Sequence, residues 1–203
     1  MNSKFNINAY SHIRNDKISL NGDIVFEDET KDFSAFIKSA YKSQGMNYPK
    51  FFKMDNLSKL AFIAADLILQ SISNSEENIA IILSNKASSL DTDRKYQESI
   101  SDSNNYFPSP SVFVYTLPNI CIGEICIKHQ LFSENSFFIF DNFNPHHLWI
   151  QTEHLLKTKK ANKVLCGWVD FDDSSYDAFL YLVEEHGDLN HTIKDIKQLY
   201  LCQ

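Results

Sequence analysis

Apolar positions along this chain fall at strand spacing in some stretches and at helix spacing in others. Residues 6–13 (NINAYSHI) set β-branched and aromatic side chains in a short polar frame, which predicts a first strand. Within residues 15–29, ISLNGDIVFE reads as a small hairpin, because Asn21-Gly22 suits a type I′ turn. From 32 to 42, Phe33, Phe36, Ile37 and Tyr41 keep helical spacing. The best-marked helix follows: Met54-Asp55-Asn56 offers capping side chains, and Leu57, Leu60, Ala61, Ala64, Leu67 and Ile68 recur at i, i+3, i+4 and i+7. Its wide, alanine-containing stripe predicts a helix lying deep against a sheet. The unbroken run at 79–83 (IAIIL) reads as a strand covered on both faces.

The second half is less regular. Residues 84–110 are polar and rich in Ser, Asp and Asn, which predicts a long loop with at most one helical turn. Between 107 and 171 the pattern gives a Pro-punctuated turn, an amphipathic helix, a strand, a sharp polar corner, a second helix and a second strand. The corner is Phe140-Asp141-Asn142-Phe143-Asn144. Residues 176–185 (YDAFLYLVEE) predict a closing strand, and 192–201 fits either a strand or a short amphipathic helix. Strands alternating with helices indicate an α/β layered fold, and 203 residues suffice for one domain spanning 1–203.

Composition narrows the chemistry. A formal charge of -7 argues against a grip on a phosphate backbone, and Lys157-Thr158-Lys159-Lys160 reads as a helix C-terminus. Cys121, Cys126, Cys166 and Cys202 form no C-x-x-C pair and sit among apolar residues, as reduced buried thiols do. With no apolar segment of signal-peptide or membrane-spanning length, a soluble cytoplasmic protein is the expectation. Neighbours His146 and His147 diverge on a helix and His154 lies two turns on, so these histidines read as structural or solvated. Asp170, Asp172 and Asp173 offer oxygen ligands for Mg²⁺, but such a run is more often a solvated strand-end turn. The five glycines form no phosphate-cradling loop, and no serine has a G-x-S-x-G context. No metal or cofactor is expected. With 16 Phe and 9 Tyr the apolar part is unusually aromatic, and Phe113, Tyr115, Phe137, Phe138, Phe140, Phe143 and Trp149 fit either a core or an interface.

Taken in order, several of these segments resemble the N-terminal half of β-ketoacyl-ACP synthases, which have the thiolase fold. The matching segments are Asn8-Ala9-Tyr10-Ser11, Lys53-Met54-Asp55 before an alanine-rich helix at 61–69, and the strand at 79–83. Pro108-Ser109-Pro110 then leads to Asn119 and Gly123 at family spacing, and Lys163 to Asp170 and Leu182-Val183-Glu184-Glu185 resemble two later strands. The half-length ketosynthase-like proteins of aryl polyene and flexirubin clusters are similar in size and pattern. The resemblance implies half of a thiolase-like fold, with a mixed, roughly five-stranded sheet flanked by helices.

The departures bear on function. In the family, the strand-to-helix corner holds a cysteine whose thiolate takes the acyl chain. Alignment on Gly123 and Leu131 puts Asn142 there, and one gap puts Phe143 there instead. The family's two catalytic histidines come from a second half that this sequence does not contain, and His186-Gly187 imitates one of those motifs only superficially. The resemblance therefore implies a non-catalytic, chain-length-factor-like subunit. Its partner would be a full-length ketosynthase, through which it would meet acyl carrier protein. Phe113, Tyr115, Thr116 and Asn119 are expected near the partner's acyl tunnel, Phe138 at the dimer strand, and Phe140 and Phe143 filling the corner. Two other readings stay open: an independent acyl-transferring or acyl-hydrolysing enzyme, and a homodimeric acyl or carrier-protein binding module.

Overall fold

The computed structural model describes residues 4–29, 32–70, 78–104 and 106–202. Among these residues eight strands form one mixed sheet: β1 (Asn6–Arg14), β2 (Lys17–Leu20), β3 (Asp23–Glu27), β4 (Ile79–Asn85), β5 (Asn135–Ile139), β6 (Lys163–Asp172), β7 (Ser175–Glu184) and β8 (Leu189–Asn190). Their order is β3-β2-β1-β7-β6-β4-β5, with β8 also paired to β1. The run β1-β7-β6-β4-β5 is the expected five-stranded mixed sheet, and the hairpin strands and β8 extend it to eight. Asn21 and Gly22 both take positive φ (53° and 93°), as a type I′ turn requires.

Helices cover both faces. α1 (Phe33–Ser43), α2 (Asn56–Leu69), α3 (Leu90–Ser101), α4 (Pro110–Val114), α5 (Ile120–His129), α6 (Pro145–Lys157) and α7 (Ile193–Leu201) follow in chain order. Along β4, Ile79, Ile81 and Leu83 enter a core with α1, α2 and α5, whereas Ala80 and Ile82 enter a second core with α6 and α7. β7 divides in the same way, with Ala178, Leu180 and Leu182 on one side and Phe179, Tyr181 and Val183 on the other. In β1 a register shift between Ile7 and Ala9 re-aims the strand, so that Ile7 packs on the second core and Ile13 on the first. α2 starts where the sequence predicts: Asp55 accepts from Ser58 N. Burial encloses nearly the whole helix rather than one stripe, and its buried Asp66 is matched by His129 at 2.9 Å and by Gln70.

Two segments differ from the reading of the sequence. Residues 90–101, expected in a long loop, form the 12-residue helix α3. Only Thr92 of α3 is buried, so there is no apolar stripe to announce it. Polar tethers hold it instead: Thr92 Oγ1 donates to Asp55 at 2.8 Å, Asn56 donates to Asp91, and Arg94 pairs with Asp172. Asp91 and Asp93 in its first turn complement the helix dipole. Residue 105 of that loop lies outside the described residues. The ambiguous tail is a helix because Thr192 caps it, accepting from Asp195 N and donating to the Asp195 carboxylate. Among the described residues no helix is long and apolar enough to cross a membrane.

At Gly167 β6 leaves no room for a side chain against β7, because a Cβ would stand 2.0 Å from the Phe179 carbonyl oxygen. We expect Gly167→Ala to lower stability by about 3 kcal/mol in urea unfolding, since β6 and β7 must separate to admit a methyl group. A loss under about 0.5 kcal/mol, the scale of a neutral surface change, would contradict that close approach.

Candidate functional site

The site builds from the carboxyl end of β4. β5 and β6 pair with β4 in parallel on opposite sides, so the chain leaving β5 must cross to reach β6. It does so through the polar corner and α6. Phe140 N donates to Asn85 O at 2.9 Å and ends the strand. Asn144 then caps α6, accepting from His147 N at 3.0 Å, with Pro145 in the first turn, where a missing N–H is harmless.

The corner side chains divide between water and core. Asp141 and Asn142 are exposed, whereas Phe143 packs on Tyr200 of α7 at 4.2 Å between ring centroids and on Phe179 at 5.8 Å. Phe140 and Phe138 both contact the His147 ring, at 5.0 and 4.5 Å. Beside the corner lies a cavity of about 430 Å³ lined by Lys86, Asn142, Phe143, Trp168, Asp170 and Tyr200, among others. Two of its acids are engaged within the fold. Asp170 accepts from the backbone N–H groups of Lys86 and Ala87, and Asp177 accepts from the Tyr200 hydroxyl and pairs with Arg14. Burial and the bond to Asp177 push the Tyr200 phenol up, so it stays protonated.

No thiol stands at the corner. Cys166 lies inside β6, where burial raises it to about 12, and Cys121 in α5 is raised by the same cause. The three carboxylates at the end of β6 diverge: Asp170 holds the turn after β4, Asp172 pairs with Arg94, and Asp173 sits in the β6–β7 turn at positive φ. Among the described residues no group of three or more His, Cys, Asp or Glu is placed to hold a metal ion. His186-Gly187 lies between β7 and β8, with Gly187 against the Ile7 carbonyl.

The remaining residues singled out in the sequence fall into different environments. Phe113 is 56% exposed and leans on Tyr96, and Asn119 is exposed at the start of α5 without a side-chain capping bond. Thr116 is half-buried and donates to Phe113 O at 2.7 Å. Tyr115 instead turns into the chain's own core, only 8% exposed, and donates to Glu124 at 2.9 Å, which also pairs with Lys50. Position two residues from Phe113 does not give a shared direction, because α4 ends between them. Phe138 is half-buried on β5, whose outer edge is unpaired among the described residues.

The stretch that the resemblance placed toward a partner, from Phe113 to Phe138, belongs to a concentration of exposed apolar side chains leading into that edge. Residues 106–139 hold eight of the fifteen large apolar residues exposed among the described residues, including Leu117 (55%), Ile127 (60%), Phe132 (95%) and Ile139 (50%). Ile127 and Phe132 carry no mark of their own exposure in the sequence, because spacing does not say which apolar side chains lack a cover.

No family model matches the sequence, and no curated protein matches it. Solved structures do. The ishigamide ketosynthase/chain length factor superposes with a TM-score of 0.63 at 15% identity, covering 90% of this chain and 62% of that chain. A chain of the ketosynthase (ApeO) complex with its chain length factor (ApeC) from Xenorhabdus doucetiae gives 0.62 at 12% identity, covering 97% of this chain and 90% of that one. A β-ketoacyl synthase from Burkholderia phymatum gives 0.60 at 10% identity, covering 92% and 60%. The chain has the thiolase fold of ketosynthases and chain length factors. It spans about three-fifths of the ishigamide and Burkholderia chains and nearly all of the matched Xenorhabdus chain. In this thiolase-like fold, the β5–α6 corner is where the resemblance read from the sequence places the ketosynthase cysteine.

The two candidate positions differ in direction, which substitution reports. Asn142→Cys should be alkylated quickly by iodoacetamide in the folded protein. Phe143→Cys should react slowly and lose about 2 kcal/mol of stability, because a half-buried ring is removed from Tyr200 and Phe179. Equal labelling rates would overturn this assignment of inward and outward side chains.

Proposed function

We propose that this chain is a non-catalytic, chain-length-factor-like subunit that pairs with a catalytic β-ketoacyl-ACP synthase. The observation that carries the reading is the corner itself, a strand-to-helix turn with an outward Asn142 and an inward Phe143 and no thiol. A carboxamide or a phenyl group cannot form the acyl thioester that a thiolate forms. The acid and phenol beside the corner, Asp177 and Tyr200, are already bonded to each other, and Asp170 is held by the N–H groups of Lys86 and Ala87.

The β5 edge supports the partner. Phe140 N points to β4, so by the alternation of a strand the N–H groups of Phe137 and Ile139 point outward. An open edge beside exposed apolar side chains is a template for another strand, and pairing removes both from water. Extensive mutual coverage with one chain of the ApeO–ApeC complex supports a subunit of this size in such an assembly. The partner would contribute the cysteine and histidines of a fatty-acid or polyketide-type condensation, as in aryl polyene synthesis. Acyl carrier protein would be met through that partner, since a chain of charge -7 repels an acidic surface. Phe113, exposed beside this face, would wall the acyl tunnel sterically; Tyr115 is buried and would act only through the fold.

Purification of the tagged chain from its native cells, followed by intact-complex mass spectrometry, should give a one-to-one complex with a chain carrying an active-site cysteine. Recovery only as a monomer or homodimer would sink the proposal. Ile139→Pro removes an outward N–H while sparing the bonds to β4, so it should weaken the complex about tenfold or more and leave the fold intact. In the reconstituted complex Phe113→Ala should lengthen the product, whereas Tyr115→Phe should not. An unchanged product distribution for Phe113→Ala would remove the tunnel-wall role.

A further inference from the structure

At the opposite edge of the sheet, the β1–β2–β3 ribbon has one face in the core, through Ile13 and Ile18, and one face turned away from it. The outward face carries His12 opposite Ser19, Arg14 opposite Lys17, and Ile24 opposite Ser19. These side chains, with Cys202 at the end of α7, line a cleft of about 490 Å³, within the size range of small-molecule sites.

Polar residues on an outer sheet face are ordinarily solvated, but His12 and Arg14 are largely withdrawn from water. His12 is 6% exposed, stacked on Phe179 at 4.7 Å. Burial, with the charge of Arg14, lowers its pKa to about 4, so the ring is neutral. Arg14 is held on three sides: Nη1 donates to Tyr200 O at 2.8 Å, Nη2 lies 3.0 Å from Asp177, and the guanidinium sits over the Tyr200 ring. Its Nε and the Nε2 of His12 are buried without a hydrogen-bond partner. Buried polar atoms of this kind call for a partner.

The walls indicate its chemistry. In a chain with 26 acids against 19 bases, the described residues that line this cleft include two cations and no carboxylate. Lys17 is committed only loosely, 3.8 Å from Glu27 in an exposed pair. Lys17 Nζ and the unpartnered Nε of Arg14 are cationic donors of the kind a carboxylate accepts. Ile24, 56% exposed on the same face, offers carbon to a tail. We propose that this cleft binds a short-chain aliphatic carboxylate, with its oxygens on Arg14 and Lys17 and its carbons over Ile24. The site lies at the sheet edge away from β5 and does not rest on the partner reading.

The exposed Cys202 thiol in the cleft wall reports occupancy. Iodoacetamide alkylation of Cys202, located by peptide mass spectrometry, would be followed in the full chain during titration with hexanoate. Hexanol and hexylammonium serve as uncharged and cationic controls. Hexanoate alone should slow alkylation, and the effect should saturate. Lys17→Gln should raise the half-saturating concentration about tenfold, as expected for the loss of one charge-assisted hydrogen bond. Ser19→Met, which fills the cleft from an outer face and leaves both cations in place, should abolish protection with an unchanged far-UV circular dichroism spectrum. Alkylation unaffected by hexanoate, slowed without saturation or slowed equally by hexanol would overturn the site and leave a water-filled cleft. So would an unaltered half-saturation in Lys17→Gln or retained protection in Ser19→Met.

Discussion

All seven residues of β4 are buried, so neither face of that strand can meet water, and helices must cover both. Both neighbours of β4 run parallel to it, and parallel pairs require long crossovers. Because β5 and β6 lie on opposite sides of β4, right-handed crossovers carry their helices to opposite faces of the sheet. That is why α5 joins α2 in one core and α6 builds the other. It also creates a switch in direction at the carboxyl end of β4, the place where open α/β sheets most often keep their chemistry.

In this chain that place is furnished for packing. The aromatic ring of Phe143 descends under α7, Tyr200 and Asp177 satisfy each other, and Asp170 ties down the turn after β4. These contacts hold Phe143, Tyr200, Asp177 and Asp170 in the packing of the corner, while Asp141 and Asn142 face water. The outer side of the α6–α7 layer carries His146, His154, Lys157, Lys194 and Lys197, so it is finished against water. The unfinished surface is elsewhere, along the stretch that leads into β5.

The two ends of the sheet treat their open edges differently. β3 ends in Asp23 and Glu27, whose charges oppose pairing with an acidic neighbour or with a second β3 in antiparallel register. β5 carries no charge between Asn135 and Ile139; Phe137 and Phe138 lean on the two cores and Ile139 is exposed. The contrast leaves β5 without the charges that guard the β3 edge.

Local pattern alone determined much of this. The Asn-Gly hairpin, the capped start of α2, the doubly buried β4 and the absence of a thiol at the corner depend on neighbouring residues, and those were legible. The sequence also carried the thiolase-like order of segments at 10–15% identity to its structural neighbours, because buried periodicity outlasts residue identity. Tertiary structure alone decided the rest. α3 stands on bonds to Asp55 and Asp172, residues distant in sequence, and so left no apolar period to read. Tyr115 turned inward because Glu124 and Lys50 meet there, and Phe143 did so because α7 returns over the corner. Direction of a side chain and exposure of an edge are properties of what packs against them, and only the folded chain brings those neighbours together.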